Sequence, residues 1–256
     1  MQDKNFITAS IVTYNNTEKA LGAVKSLKEN TKNRELKVFV FDNASKNIDI
    51  GLSSAADVLE LNKENLGFGA AHNKILEYEI GKYHAVVNPD IKVDSDVLSH
   101  LADILDENED IVMITPKVMN SDGTEQKLPK RTPTARYLFL GRLARFGGVF
   151  KKIRDEYVME NEQFEDITDI DFCTGCFFMI RSDVFREIGG FDERYFMYLE
   201  DADLTRKAKQ YGRTVFCPTA QVEHEWERAS AKSPKLLMIH LCSFIKYLRK
   251  WKNELR

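Results

Sequence analysis

The sequence predicts an α/β fold in which a mostly parallel, twisted central sheet is flanked by helices. Short apolar segments that favour buried strands alternate with segments of helical periodicity through residues 1–115. Such alternation is typical of β–α–β units, in which a helix connects each strand to a parallel neighbour. The chain of 256 residues is also 43% hydrophobic and 30% charged, which provides the core and the surface of one large globular domain.

The elements of the first half follow in order along the chain. Strands are predicted for five short apolar runs, at residues 7–12, 38–41, 58–61, 85–87 and 111–114. Helices are predicted where apolar residues recur every three or four positions, at residues 18–29, 70–79 and 94–106. Most consecutive strands are therefore separated by a helix, as a parallel sheet requires.

The pattern changes in the second half. Residues 120–124 (Asn-Ser-Asp-Gly-Thr) predict a turn between two antiparallel strands. Residues 167–180 have the composition of strands, and residues 182–188 predict a short helix that is capped by Ser182. Because no linker rich in Gly, Ser or Pro divides the chain, we predict a single domain over residues 1–230.

Small polar residues follow three of the predicted strands. In open parallel sheets ligands bind beyond the carboxyl ends of the strands, so these side chains are expected to converge on one crevice. They are Thr13, Tyr14, Asn15, Asp42, Asn43, Asn88 and Asp90. Residues 65–69 (Asn-Leu-Gly-Phe-Gly) precede a predicted helix. Glycine lets a backbone approach a ligand closely and a helix N-terminus favours phosphate, so Asn65 and Gly67 are expected to line the same crevice.

The most informative segment is an acidic cluster, Glu200, Asp201 and Asp203, which follows the apolar and aromatic residues 195–199. Carboxylates that are close together and partly desolvated have raised pKa values, which suits a proton acceptor. The alternative is an ordinary helix start, because acids in a first turn complement the helix dipole. The cluster alone leaves both interpretations open, and the neighbouring motifs favour the first.

Taken together, the motifs resemble those of the family 2 inverting glycosyltransferases, and within them the rhamnosyltransferase-like branch. The resemblance extends over residues 5–230 and depends on the order and spacing of seven motifs, each of which is weak by itself. They are residues 12–15, 42–45, 65–69 with Asn73, 88–90, 189–193, 200–204, and His224. The resemblance implies a GT-A-type nucleotide-binding fold, with a nucleotide-sugar-binding half over residues 1–115 and an acceptor and catalytic half over residues 116–230.

The resemblance also implies a role for each site residue. The base that takes the proton of the acceptor hydroxyl would be Asp201, with Glu200 as the alternative. Thr174 and Trp226 would lie on the acceptor side. The residues that would bind the nucleotide-sugar donor are Thr13, Tyr14, Asn15, Asp42, Asn43, Asn65, Gly67, Asn73, Asn88, Asp90 and Gly175. The expected reaction moves a sugar, with rhamnose from dTDP-rhamnose as the best match, to a saccharide or lipid-linked acceptor in bacterial surface polysaccharide synthesis.

A divalent cation, Mg²⁺ or Mn²⁺, is the cofactor that the resemblance implies. It would neutralise the departing diphosphate, and Asp90 and His224 would be its protein ligands. The family's motif is acidic at both ends, whereas this chain has Asn88 at the first position. That difference keeps open a second hypothesis, a catalytically degenerate partner subunit that binds nucleotide-sugars. A nucleotidyltransferase is disfavoured because residues 13–16 lack a glycine-rich basic loop.

Composition and charge exclude several other classes. The formal net charge of −3 argues against a nucleic-acid binder. Cys173 and Cys176 are interleaved with phenylalanines and have no second ligand pair, so we expect buried free thiols and not a zinc site. The chain begins without a recognisable signal peptide and has no run of about 18 apolar residues, so a cytoplasmic protein is expected.

Two basic and apolar segments remain, residues 126–154 and a predicted amphipathic C-terminal helix over residues 231–256. The first contains nine basic residues and no acid, and the second places apolar residues at helical spacing among Lys and Arg. Both suit an anionic membrane surface, which would place the protein peripherally at the inner face of the membrane. The alternative is that their apolar faces pack on the domain or on a second subunit of a homo-oligomer.

Overall fold

The structure is a computed structural model that describes residues 5–127, 129–225 and 234–252. Within these ranges, ten strands form one sheet. They are β1 (Ile7–Thr13), β2 (Leu36–Asp42), β3 (Val58–Leu61), β4 (Tyr83–Val87), β5 (Ile91–Lys92), β6 (Ile111–Met119), β7 (Glu125–Gln126), β8 (Thr168–Asp169), β9 (Phe177–Arg181) and β10 (Arg213–His224).

The strand order is β3-β2-β1-β4-β9-β6-β10-β5, with β7 paired to β6 and β8 paired to β10. The first four strands of this order are parallel, and β6 and β10 are parallel to each other. Between these groups lies β9, which is antiparallel to both β4 and β6. The predicted α/β sheet is confirmed, and its second half is mixed.

Helices cover both faces of the sheet. The described α-helices are α1 (Thr17–Asn30), α2 (Ile50–Ala55), α3 (Phe68–Asn73), α4 (Val97–Glu107), α5 (Ala135–Leu140), α6 (Gly148–Tyr157), α7 (Ser182–Glu187), α8 (Glu200–Ala208) and α9 (Pro234–Lys250). Two 3-10 segments, Lys74–Glu77 and Gly141–Phe146, extend α3 and α5. One core cluster packs α1 and α4 on the face that includes Ile11, and a second packs α3, α7 and α8 on the face that includes Val12.

Most predicted elements agree with the structure to within a few residues, and two predictions in the second half are wrong. The segment 167–180 forms only β8 and β9, because the backbone between them bonds elsewhere: Cys173 N–H donates to Thr205 Oγ1 at 3.1 Å. Helix α7 exists, but Ser182 does not cap it. The helix begins at Ser182 itself, and the Ser182 hydroxyl is buried without a hydrogen-bond partner.

The C-terminal helix α9 packs on the domain beside α8. Tyr247 and Trp251 join a buried cluster that includes Tyr195. The fully buried Asp203 of α8 accepts hydrogen bonds from Lys250 Nζ at 2.7 Å and from Trp251 Nε1 at 2.8 Å. The last described helix therefore fixes the position of the helix that carries the acidic cluster. None of the helices in the described ranges is long and apolar enough to cross a bilayer.

Candidate active site

Two carboxylates, Glu200 and Asp201, open helix α8. The residues before them, Tyr198 and Leu199, both have left-handed φ angles of 72° and 66°, which non-glycine residues adopt only under constraint. Glu200 is buried and its Oε2 atom accepts no hydrogen bond. Burial, reinforced by the charge of Asp201, raises the pKa of Glu200 well above its usual range. Burial likewise raises the pKa of Asp201, so the raised pKa values predicted for this pair are confirmed.

The loop between β8 and β9 holds the Asp201 carboxylate in place. Gly175 N–H donates to Asp201 Oδ2 at 2.9 Å, and Ala202 N–H donates to Oδ1 at 2.9 Å. The Lys130 ammonium is close enough to favour the charged form of Asp201, and it lies 5.0 Å from the centre of the Phe172 ring. Sequence reasoning missed Lys130 here because it sits in the basic segment 126–154, where nothing distinguishes it from its neighbours.

The two halves of the site meet at Cys176. Asn88 N–H at the end of β4 donates to Cys176 O at 2.8 Å, two residues before Asp90. Burial raises the pKa of the Cys176 thiol to about 12, and the nearby charges of Lys130, Asp201 and Asp90 modify it. Asp90 and Asp201 therefore both lie close enough to Cys176 for their charges to act on its thiol. Cys173 and Cys176 are both buried free thiols, as predicted.

Asp90 and His224 lie together as the sequence predicted. Asp90 Oδ1 is buried, accepts no hydrogen bond by geometry, and lies 3.3 Å from His224 Nε2. Asn88 Nδ2 lies 3.4 Å from the same nitrogen. Among the described residues no group of three or more His, Cys, Asp or Glu side chains surrounds a cation position. A carboxylate, an imidazole and an amide are nevertheless a set of donors that fits Mg²⁺ or Mn²⁺ with additional water or phosphate ligands.

Two polar atoms at the ends of the first strands have no hydrogen-bond partner among the described residues. Thr13 Oγ1 and Asp42 Oδ1 are both buried and make no hydrogen bond, whereas Asp42 Oδ2 accepts from Ser45 N–H at 2.8 Å. A buried polar group without a partner costs free energy, and a ligand that supplies the missing bond removes that cost. Both side chains therefore fit a polar ligand at the end of β1 and β2.

Several predicted donor-site residues form hydrogen bonds with other groups of the protein. Asn43 Nδ2 donates to Gly67 O at 3.0 Å, and Asn65 Oδ1 accepts from Gly67 N–H at 2.9 Å. Gly67 has φ +89°, and an added Cβ would lie 2.3 Å from Phe196 O. Asn73 bonds to both the N–H and the C=O of Phe191. These residues join the end of β2 to the loop that precedes α8.

The remaining predicted site residues are placed at the rim or lie outside the described chain. Tyr14 is exposed, and Asn15 accepts from Lys46 N–H at 3.0 Å, which ties the first two strand-end loops together. Thr174 is partly buried and directly precedes Gly175. Trp226, predicted on the acceptor side, lies outside the described residues.

The mixed α/β sheet, flanked by helices on both faces, belongs to the GT-A class of folds. The family model "Glycosyl transferase family 2" matches residues 8–189. The chain belongs to that family, as the sequence motifs indicated. The match ends before Glu200, so the acidic pair is placed by the structure and not by the family model.

Two similar proteins are named rhamnosyltransferases. The N-acetylglucosaminyl-diphospho-decaprenol L-rhamnosyltransferase of Mycobacterium tuberculosis is 26% identical over 189 residues, which cover 66% of this chain and 59% of that protein. Rhamnosyltransferase WbbL of Escherichia coli is 34% identical over 83 residues, 32% of this chain and 31% of that protein. The chain thus spans less than two thirds of the length of these curated relatives.

Solved structures confirm the GT-A fold. GalNAc-T7, solved with UDP, GalNAc and Mn²⁺, superposes with a TM-score of 0.67 at 14% identity and covers 97% of this chain and 48% of its own. The mannosyltransferase PcManGT of Pyrobaculum calidifontis, solved with GDP-Man and Mn²⁺, gives 0.61 at 17% identity and covers 96% and 66%. At these identities the likeness establishes the fold alone.

Proposed function

We propose that this protein transfers a sugar from a nucleoside-diphosphate donor to an acceptor hydroxyl, with inversion at the sugar carbon. The observation that carries the proposal is the set of contacts between the acidic pair and the Asp90–His224 pair. Asp201 accepts from Gly175 N–H, and the next residue, Cys176, accepts from the N–H of Asn88, whose side chain lies beside His224. Inversion requires a base on one side of the sugar and a stabilised leaving group on the other. Rhamnose is the sugar we favour, because the two relatives are named rhamnosyltransferases, and dTDP-rhamnose is the donor that the family resemblance implies.

On the donor side, the partnerless Asp42 Oδ1 would accept a hydrogen bond from a ribose hydroxyl or a pyrimidine N–H. Thr13 Oγ1 would bond the same nucleoside. Gly67 lets the backbone pass close to Phe196 O, and Asn43 and Asn65 hold that loop in place. This division separates residues that contact the nucleotide from residues that shape its pocket.

On the leaving-group side, Asp90 and His224 would hold a divalent cation, with the neutral Asn88 amide beside them. When bound, Mg²⁺ or Mn²⁺ neutralises negative charge on the diphosphate. Asn88 leaves the site with one carboxylate, so we expect weaker cation binding without donor than with it, since the diphosphate would complete the ligand set.

On the acceptor side, Asp201 would take the proton of the attacking hydroxyl. Gly175 N–H and Ala202 N–H orient its carboxylate, and the charge of Lys130 partly offsets the effect of burial, which raises the pKa of Asp201. Glu200, one residue before it, has an Oε2 atom without a hydrogen-bond partner among the described residues, whereas two backbone N–H groups stabilise the charged form of Asp201. The pair therefore favours Asp201 as the acceptor of the proton.

The acceptor we propose is lipid-linked, and an anionic membrane surface is the partner that would present it. Exposed apolar side chains lie on and around α5 and α6 and on α9. The two regions meet where Phe139 of α5 contacts Phe244 of α9, with ring centres 5.0 Å apart. We call this the composite face, and it consists of Phe139, Leu140, Phe146, Val149, Leu237, Met238 and Ile245.

The charges beside the composite face are only partly free. Arg136 pairs with Glu156 at 3.0 Å and Lys151 with Asp155 at 2.5 Å, so acids that follow the basic segment neutralise part of it. Within the described chain, Arg145 and Lys152 make no ion pair. Each free Lys or Arg near an anionic surface contributes about 1 kcal/mol, screened by salt, whereas the apolar contribution persists in salt.

Vesicle co-sedimentation tests the composite face. We expect binding to vesicles that contain anionic lipid at low salt, and weak binding to neutral ones. Arg145→Gln with Lys152→Gln should release the protein, whereas the charge-matched control Lys25→Gln with Lys32→Gln, on the exposed side of α1 and just after it, should not. Equal binding to both vesicle types, or concentration-dependent dimerisation without vesicle binding, would contradict a membrane role.

Product analysis tests the proposed reaction. The protein is incubated with dTDP-rhamnose, or with UDP-hexoses, and a lipid-linked saccharide, and both the released nucleoside diphosphate and the glycosylated lipid are measured. Stoichiometric release and transfer support the proposal. Tight donor binding without transfer to any acceptor would instead support the degenerate partner subunit, for which Asn88 is the favouring observation.

A further inference from the structure

A chain of side-chain hydrogen bonds runs from the surface to His224. Gln126 of β7 donates from Nε2 to the backbone carbonyl of His224 at 3.0 Å and to Asn120 Oδ1 at 2.8 Å. Asn120 Nδ2 in turn bonds Thr124 Oγ1 at 2.8 Å, and Thr124 Oγ1 bonds Asp122 Oδ1 at 2.5 Å. Every member except the last is fixed by a partner on each side.

The backbone carbonyl fixes the orientation of the Gln126 amide. A carbonyl oxygen only accepts hydrogen bonds, so the Gln126 atom next to it must be the NH₂ group. The other Gln126 atom, Oε1, must then be the one 3.1 Å from His224 Nδ1. Because Oε1 only accepts, Nδ1 carries the proton in this contact.

In a neutral imidazole, a proton on Nδ1 leaves a lone pair on Nε2. His224 Nε2 lies 3.3 Å from Asp90 Oδ1, which is buried and accepts no hydrogen bond. Two lone pairs therefore face each other across a short gap. Asn88 Nδ2, at 3.4 Å, is a donor that satisfies the Nε2 lone pair in the absence of another partner.

We propose that Gln126 is a positioning residue that holds His224 in the Nδ1–H tautomer and so keeps Nε2 ready to bind a divalent cation together with Asp90. The proposal deepens the proposed function, because it explains how a site with one carboxylate retains affinity for the cation. An outer hydrogen bond that sets the tautomer and ring orientation of a ligating histidine typically changes metal affinity 10- to 100-fold.

Nitrogen-15 NMR of the histidine side chains in the metal-free protein, at alkaline pH, tests the tautomer directly. The chain has five histidines, and the His224 signals are assigned by their loss in His224→Gln. We expect wild-type Nδ1 to be protonated and Nε2 to be bare. A protonated Nε2 in the wild type would overturn the proposal without any variant.

Two variants separate the acceptor from the rest of the contact. Gln126→Leu removes the oxygen that accepts from His224 Nδ1–H and should populate the other tautomer. It should also weaken Mn²⁺ binding, measured by electron paramagnetic resonance, by about 10- to 100-fold. Gln126→Glu loses the donor to His224 O and to Asn120 Oδ1 but keeps an oxygen for Nδ1–H, and it should retain the wild-type tautomer. Gln221→Leu, an exposed change on the same strand as His224, is the control.

An unchanged tautomer and unchanged Mn²⁺ affinity in Gln126→Leu would overturn the proposal. If Gln126→Leu does not fold, the wild-type and Gln126→Glu spectra still decide it. Failure of the proposed transferase function is a separate result, because it would show as absent product while the tautomer of the metal-free protein remained as expected.

Discussion

The stability of this protein depends on pH because two histidines, His84 on β4 and His72 on α3, are buried. His84 on β4 is fully buried, with Thr8 Oγ1 3.0 Å from its Nδ1 and Ser10 Oγ 3.0 Å from its Nε2. Ser10 Oγ also lies 2.7 Å from Nδ1 of the equally buried His72. Burial lowers the pKa of His84 to about 3, and burial together with the neighbouring His84 lowers the pKa of His72.

The sign follows from the protons bound in each state. The pKa of His84 is lower in the folded protein than the value of about 6.5 in the unfolded chain. The stabilisation that His84 contributes is therefore complete above pH 6.5 and is lost as the pH falls towards 3. Between pH 7 and pH 5 the folded imidazole stays neutral while the unfolded one becomes protonated. Proton linkage then lowers the free energy of unfolding by about 2 kcal/mol for this one residue.

Urea denaturation at pH 7 and pH 5 measures this loss in the wild type and in His84→Gln. The variant keeps hydrogen-bonding groups but does not titrate, so its loss should be smaller than that of the wild type by about 2 kcal/mol. The raised pKa values of Glu200 and Asp201 act with the opposite sign, but they are present in both proteins and cancel in the difference. His100→Gln, at an exposed histidine, is the control. Equal losses in wild type and His84→Gln would refute the reasoning.

Three further changes test the site and its supports. Asp90→Ala should abolish Mn²⁺-dependent donor binding in calorimetry while leaving the melting temperature nearly unchanged; a wild-type enzyme that is indifferent to chelator would contradict this. Gly67→Ala should lower the free energy of unfolding by about 1–3 kcal/mol more than Gly123→Ala, since both glycines have positive φ but only Gly67 would press on Phe196 O. Lys250→Met should lower the free energy of unfolding by about 2–3 kcal/mol, because the buried Asp203 loses an ion partner and keeps the hydrogen bond from Trp251. An unchanged free energy of unfolding in urea denaturation would contradict that expectation.

The parts of the fold that could be predicted from the sequence are those encoded locally. The apolar runs that form β1 to β4 predict the approximate length of each strand. Polar residues such as Asp42 and Asp90 follow the apolar runs and indicate where the strands end. The predicted helix 70–79 begins two residues after the observed start of α3 at Phe68 and is too long. Ala, Leu and Glu favour a continuous α-helix there, whereas the chain tightens into a 3-10 turn at Lys74–Glu77.

The parts that could not be predicted depend on contacts between distant residues. Gln126 and His224 are 98 positions apart, and Ser10 and His84 are 74 apart, so no spacing rule connects them. The composite face is a similar case, since its two segments join only where Phe139 meets Phe244. The acids that neutralise part of the basic segment follow directly after it, and only the structure shows that Asp155 pairs with Lys151 and Glu156 with Arg136.

The turnover of Asp201→Asn, measured beside Glu200→Gln with donor affinity determined for both, tests the central claim most directly. Asparagine keeps the shape of the side chain and the bond from Gly175 N–H while removing the proton acceptor. We predict a loss in kcat of about 10² or more for Asp201→Asn with a nearly unchanged donor Kd. Near-wild-type turnover in Asp201→Asn together with a collapse in Glu200→Gln would contradict the account and assign the base to Glu200.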